Sequence, residues 1–196
     1  MVWYRTDKKR TTDDLLQMSI GWMKKHGCFE ENCIINGGLT WTRHSGLSSP
    51  RKIGSIAYSS NFIGKEKYIT LNYTFREKED LNYKIPITYN IPYYGGRRYW
   101  FICPKCGRKV AFLYGGKYFL CRHCQNLSYP TQQMDFSSRM LERGKKYENK
   151  VLVDGCRKRW THHSTFERYM DKSEYYERLG LASMYTKLKT IYKKMY

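Results

Sequence analysis

No stretch of this sequence approaches the ~20 apolar residues that carry a helix across a bilayer, so no membrane span is expected. The opening residues, MVWYRTDKKR, hold charges with no apolar segment behind them, and no secretory signal is expected either. Low-complexity tracts and internal repeats are missing. So are the G-x-S-x-G elbow, the Walker A loop, the dinucleotide-binding glycine fingerprint and the H-E-x-x-H helix, which removes the enzyme classes those motifs serve. Acidic residues are scarce. Seventeen Asp and Glu stand against 36 Lys and Arg, for a net charge of +19. Such an imbalance attracts polyanions, chiefly nucleic acid, and is silent about fold. It peaks in residues 101–150, where ten basic residues meet three acidic ones.

What the chain does have is cysteine in a pattern. Its seven cysteines are an odd number, and four of them have metal-ligand spacing, which fits a reducing compartment; a cytoplasmic protein is expected. The four are Cys103-x-x-Cys106 and Cys121-x-x-Cys124. Each pair can place two thiolates about 2.3 Å from a tetrahedral Zn²⁺, and four close the coordination sphere. One structural ion is therefore expected rather than a catalytic one. Pro104 fixes φ after Cys103, and Gly107 tolerates the left-handed turn that lets backbone N–H groups approach the sulfurs. Between the pairs, Arg108–Tyr114 and Lys117–Leu120 read as strands turned at Gly115-Gly116. Two knuckles joined by a hairpin describe a zinc ribbon. The competing reading is four buried free thiols or two disulfides.

The run Gly95-Gly96-x-Arg98-x-Trp100-Phe101-x-Cys103 on to Arg108, then Leu113-Tyr114, Phe119-x-Cys121-Arg122-x-Cys124 and Leu127-x-Tyr129, resembles a family of uncharacterised bacterial zinc-ribbon proteins. A weaker similarity reaches the strand around Trp41 and the segment His163–Arg168. The chain departs from the family where Pro130-Thr131 precedes Gln132, a spot at which the family has serine. The resemblance implies a fold and a metal and assigns no activity.

Around this stretch the expected architecture is α+β, an antiparallel sheet extended by the Cys₄ ribbon, with an N-terminal helix and a C-terminal helical segment. The expected divisions are residues 1–30, an N-terminal helix; 31–94, antiparallel β; 95–133, the ribbon; and 134–196, a basic helical segment. Thr11–His26 reads as a helix burying Leu16, Ile20 and Met23 and ending at Gly27. Strands are expected at Gly38–Thr42, Gly54–Tyr58, Lys67–Phe75, Leu81–Ile91 and Arg97–Ile102, with turns at Glu77–Asp80 and Gly95-Gly96. Pro86 marks its strand as an edge or a bulge. Phe136, Met140 and Tyr147 lie at helical spacing interrupted by Gly144. Ser164 and Glu167 suggest a capping box for a helix Thr165–Leu179. Gly180 is expected to separate it from a stripe of Leu181, Met184, Leu188, Ile191 and Met195, read as core or else as a seam for self-association or a protein partner.

Basic and aromatic residues interleave most densely around the ribbon. Arg97, Arg98, Arg108, Lys109, Lys117 and Arg122 are candidates to neutralise phosphates, and Tyr99, Trp100 and Tyr118 to stack on bases. Trp100, Phe101, Val110, Phe112 and Phe119 are expected to form the ribbon's small core. A second basic cluster runs from Lys145, Lys146 and Lys150 to Arg157, Lys158, Arg159 and Trp160. His26, Cys28, Cys33 and His44, and Cys156 with His162 and His163, lack paired metal spacing and read as ordinary thiols and turn histidines. His162-His163 with Glu167 is the one local group resembling acid/base machinery, and a capping segment explains it. The leading expectation is a nucleic-acid-binding protein, DNA or RNA, serving as a regulatory or accessory factor of a bacterial mobile element. The rival is an adaptor or inhibitor docking through the sheet or final helix. A nuclease or nucleic-acid-modifying enzyme ranks third.

Overall fold

The alternation read in the middle of the chain is the skeleton of a six-stranded antiparallel sheet. The computed structural model describes residues 8–43 and 49–195. The chain divides into two units, Met1–Tyr129 and Pro130–Tyr196.

In the first unit a single 3₁₀ turn, Thr12–Asp14, leads into β1 (Gln17–Ser19) and the short helix α1 (Ile20–Lys25). There follow β2 (Ile34–Arg43), β3 (Arg51–Asn61), β4 (Lys67–Phe75), β5 (Glu79–Asn90), β6 (Arg98–Ile102), β7 (Lys109–Val110), β8 (Phe112–Gly115) and β9 (Phe119–Leu120). Strands β2 to β7 pair in sequence order, and β1, β8 and β9 form a second, three-stranded sheet. Inward-facing Ile69, Leu71, Ile85, Ile87 and Phe101 are fully buried or nearly so, together with Met18, Met23 and Phe62.

Three expectations change here. The single helix over Thr11–His26 gives way to a turn, a strand and six helical residues. Met18 is opposite Leu113 in the β1–β8 ladder and is buried, so pairing with the ribbon hairpin outcompetes helical continuity. Ser19 then caps α1 by accepting the Trp22 N–H. Ile20 and Met23 are still buried, as the helical reading required. Pro86 stands within β5, between two partner strands. Pairing with β6 begins only at Ile87, so on that side the missing N–H of Pro86 has no ladder partner to lose. The ribbon extends the sheet as expected, but through β7 alone. Its first arm breaks at Ala111, so that β7 continues the large sheet and β8 turns into the small one.

The hairpin tip is tied to the large sheet by a chain of hydrogen bonds whose direction is fixed. The Phe119 N–H donates to the Tyr83 hydroxyl at 2.8 Å, and the Tyr73 hydroxyl donates to the Lys117 carbonyl at 2.7 Å. The two hydroxyls lie 3.1 Å apart, so Tyr83 must donate to Tyr73. Burial raises the pKa of both phenols and keeps them protonated for this task. Tyr83→Phe removes the central link and strands a backbone N–H. A loss of about 1–3 kcal/mol is expected in urea denaturation, while Tyr118→Phe, whose ring only edges against Tyr83, should cost little.

The second unit holds α2 (Pro130–Gln133), α3 (Phe136–Val151), a hairpin of β10 (Leu152–Val153) and β11 (Cys156–Arg157), and α4 (His163–Met195). Asp135 caps α3 by accepting the Ser138 N–H at 3.0 Å and forms an ion pair with Lys187. Neither glycine expected to interrupt a helix does so. A Cβ at Gly144 would lie 3.1 Å from the Ser173 carbonyl, and one at Gly180 would lie 3.0 Å from the Leu141 side chain. Both mark points where α3 and α4 run too close for a side chain. Helix α4 starts at His163, with the Phe166 N–H donating to the His162 carbonyl, and Glu167 pairs with His163 instead of capping Ser164. The stripe read as core is on the surface: Leu181, Met184, Leu188 and Ile191 are all exposed, Leu188 by 63%. The side chain of Met195 lies outside the described residues. No helix among the described residues is long and apolar enough to cross a membrane.

Candidate metal centre and its basic rim

The two C-x-x-C segments fold into matched turns. In the first, the Cys103 N–H donates to the Arg108 carbonyl and the Gly107 N–H to the Cys103 carbonyl, each at 2.9 Å. Gly107 takes φ 68°, the left-handed conformation that its lack of Cβ permits. In the second, the Gln125 N–H donates to the Cys121 carbonyl at 3.0 Å, and Asn126 adopts the left-handed φ of 53°. Strand β6 delivers the first turn and β9 the second. Residues 10–12 strap the far side, with the Thr12 N–H donating to the Ser128 carbonyl and the Ser128 N–H to the Arg10 carbonyl, both at 2.9 Å.

The turns bring four sulfurs together, all within 4.8 Å of one another. Cys103 and Cys124 are 3.9 Å apart and Cys106 and Cys121 are 3.6 Å apart. Sulfurs about 2.3 Å from a shared tetrahedral ion stand about 3.8 Å apart, so the four are close enough together to hold one metal ion. No two cysteines are joined by a disulfide. The Cys121 N–H points at the Cys103 sulfur from 3.4 Å. Burial opposes ionisation of Cys103, but N–H groups of Cys121, Cys106 and Lys105 outweigh it and bring the thiol to about 7. Burial, then the crowding thiols of Cys106, Cys121 and Cys103, push Cys124 up to about 12. Four thiolates in this space need a cation among them. The set leaves no ligand position for a substrate.

The rim is basic, though not uniformly available. Arg97 forms an ion pair with Glu31, and Lys117 pairs with Glu79 at 2.9 Å. Arg122 is built into the second turn, donating to the Leu127 carbonyl at 3.1 Å with its guanidinium over Tyr129. Tyr99 is a core residue. Its ring packs against Phe29, Phe62 and Tyr89 and its hydroxyl donates to Glu31 at 3.0 Å, so it is not a stacking platform. Arg98, Arg108 and Lys109 are exposed and face no carboxylate among the described residues. Trp100 is half-buried beneath Arg98, and Tyr118 is exposed at the hairpin tip. Of the expected ribbon core, Phe101 and Phe119 are buried, whereas Phe112 faces outward and Leu113 and Tyr114 take its place. His123 is held below its ordinary value by Arg122, then by partial burial, Arg108 and Lys9, so positive charge gathers at the second turn.

No family model, curated protein or solved structure matches the chain.

The remaining candidates separate. His26 stacks on Trp22 and Cys28 lies buried against the Tyr58 hydroxyl at 3.1 Å, while Cys33 is exposed and His44 lies outside the described residues. His163 and Glu167 pair at 3.1 Å on the exposed start of α4, and His162 bonds Ser164. One residue that sequence reading passed over is Glu31, which gathers Lys67, Arg97 and Tyr99 beside β6. No local spacing signals it, because its partners come from two distant segments, Lys67 on β4 and Arg97 with Tyr99 at β6. The Asp154-Gly155 hairpin was also passed over, although Asp-Gly is a strong hairpin dipeptide; both residues take positive φ.

Proposed function

We propose that this chain is a zinc-ribbon nucleic-acid-binding protein, acting in the cytoplasm as a regulatory or accessory factor of a bacterial mobile element. Zinc is the ion that a closed tetrahedral set of four cysteine thiolates selects in structural sites. The resemblance to bacterial zinc-ribbon proteins points the same way. Four thiolates complete the coordination sphere, so the ion would build the platform while recognition falls to side chains around it. The observation that carries the nucleic-acid reading is the set of cations on that platform with no carboxylate facing them among the described residues, Arg98, Arg108 and Lys109, in a chain of net charge +19. Cations left unpaired on a rigid surface neutralise phosphates and release counterions. Arg97, Lys117 and Arg122 contribute field rather than free contacts.

The test is a salt titration of binding across duplex DNA, single-stranded DNA and RNA. Affinity should fall steeply with salt, and Arg108→Ala with Lys109→Ala should weaken binding to all sequences alike, with a salt slope shallower by about one to two. No affinity at low salt, or no change in the double variant, would end this reading. The exposed stripe of α4 supports a second one, a protein-interaction surface for a partner or for a second copy. A stoichiometric complex that survives nuclease treatment would favour it.

A further inference from the structure

Successive side chains on a strand point to opposite faces, and only one face of β4, β5 and β6 packs on the core. The other carries Tyr68 opposite Pro86, Lys84 two residues back along β5, Thr88 opposite Trp100, and Arg98 two residues back along β6. Lys84, Pro86 and Arg98 are exposed, and Tyr68, Thr88 and Trp100 are half-buried. Each ring on this face has a cation over it. The Lys84 Nζ lies 4.5 Å from the centre of the Tyr68 ring, and the Arg98 guanidinium 4.5 Å from that of Trp100. Asn61 fixes the Tyr68 hydroxyl with a 3.1 Å hydrogen bond. The Trp100 indole N–H is buried and has no hydrogen-bond partner among the described residues. None of the six positions is acidic.

We propose that this outward face binds single-stranded nucleic acid, with bases stacked at Trp100 and Tyr68 and phosphates held by Arg98 and Lys84. The proposal rests on the nucleic-acid reading above, shares Arg98 with it, and names both the form bound and a sheet face beyond the metal-binding turns. Bases stack on aromatic rings and on guanidinium planes, so a nucleobase can lie on Arg98 or replace it over Trp100. Tyr68 and Trp100 belong to strands two apart, about 10 Å across the ladder, so one strand can present a base to each. A duplex hides its base faces and gains only the two charges. A peptide adding to a sheet uses an edge rather than a face. Positive charge at these six positions, with Asp80 farther along the face engaged by the Thr74 hydroxyl, complements phosphate, and paired rings complement unpaired bases.

The experiment measures binding of a fluorescein-labelled oligothymidylate, and of a duplex containing it, by anisotropy at several salt concentrations. Trp100→Ala and Tyr68→Ala should each weaken oligothymidylate binding about 5- to 100-fold, with little change for the duplex and an unchanged salt slope. Lys84→Glu, at an exposed position that removes no buried contact, should weaken it as well. That variant decides the matter if Trp100→Ala melts early. Unchanged oligothymidylate affinity in all well-folded variants, with nucleic acid still bound, overturns the role of this face and leaves the earlier reading standing. No binding of either probe at low salt overturns both.

Discussion

Cys103→Ser should strip the metal from the chain and unfold the ribbon. Metal analysis of the wild-type protein should find about one equivalent per chain, and the variant close to none after dialysis against a weak chelator. The reason is geometric as well as chemical. Cys103 is buried at the end of β6, its sulfur accepts the Cys121 N–H, and its backbone closes the first turn through Arg108 and Gly107. A serine hydroxyl does not ionise near neutral pH and cannot replace a thiolate ligand. Closed cysteine sites contribute about 10–16 kcal/mol in small zinc domains. A fraction of that, lost from a domain of this size, lowers the melting temperature by more than about 10 °C. Cys33→Ser and Cys156→Ser change exposed thiols outside the cluster and should alter neither metal content nor melting. Retained metal in Cys103→Ser would sink the assignment of the four sulfurs as one site.

The four-cysteine cluster was legible because its determinants are local. Two cysteines three apart with a glycine one beyond the second, and a second such cysteine pair nearby, define a turn that few other structures need. Alternation in β4 and β5 was legible for a related reason, since one face is core and the other solvated. The losses came where the same letters serve two structures. Leu16, Ile20 and Met23 fit one helical face, and they fit equally a residue ahead of a short strand followed by a short helix. Only the pairing of Met18 with Leu113, nearly a hundred residues away in sequence, decides between them. Gly180 could end a helix or admit a neighbouring one, and Leu141 on the facing helix determines which. The stripe on α4 has core periodicity, yet a period says which residues share a face and never what covers it. Among the candidate contacts, spacing collected Arg97, Tyr99 and Arg122 with Arg98 and Arg108. Only three-dimensional packing separates the first group, engaged with Glu31, the core and the Leu127 carbonyl, from the second.

Glu31 is the strongest case of a determinant with no local signature, and its replacement carries the second large expectation. Its carboxylate accepts Lys67 at 2.5 and 2.7 Å and the Tyr99 hydroxyl at 3.0 Å, and forms an ion pair with Arg97. The Lys67 side chain is only 9% exposed, with its ammonium also near the rings of Phe62 and Tyr89. Glu31→Gln would leave that buried cation without a counter-charge. Breaking a buried pair costs about 3–5 kcal/mol, but Glu31 itself is 42% exposed, so water screens part of the loss and about 2–3 kcal/mol is expected. The interaction also has a pH signature. Lys67, then Arg97, hold Glu31 at about 2 against an ordinary value of 4.5. A carboxylate depressed in the folded state stabilises fully above its unfolded value, and the contribution disappears as pH falls through the folded one. The stability difference between wild type and Glu31→Gln should therefore be constant above about pH 4.5 and shrink toward pH 2. Acid also protonates the four clustered cysteines, but it does so in both proteins, so the loss of any metal they hold cancels in the difference. Urea denaturation of the pair at several pH values reads it directly. A difference that stays constant down to pH 2 would mean that Glu31 acts through packing rather than charge.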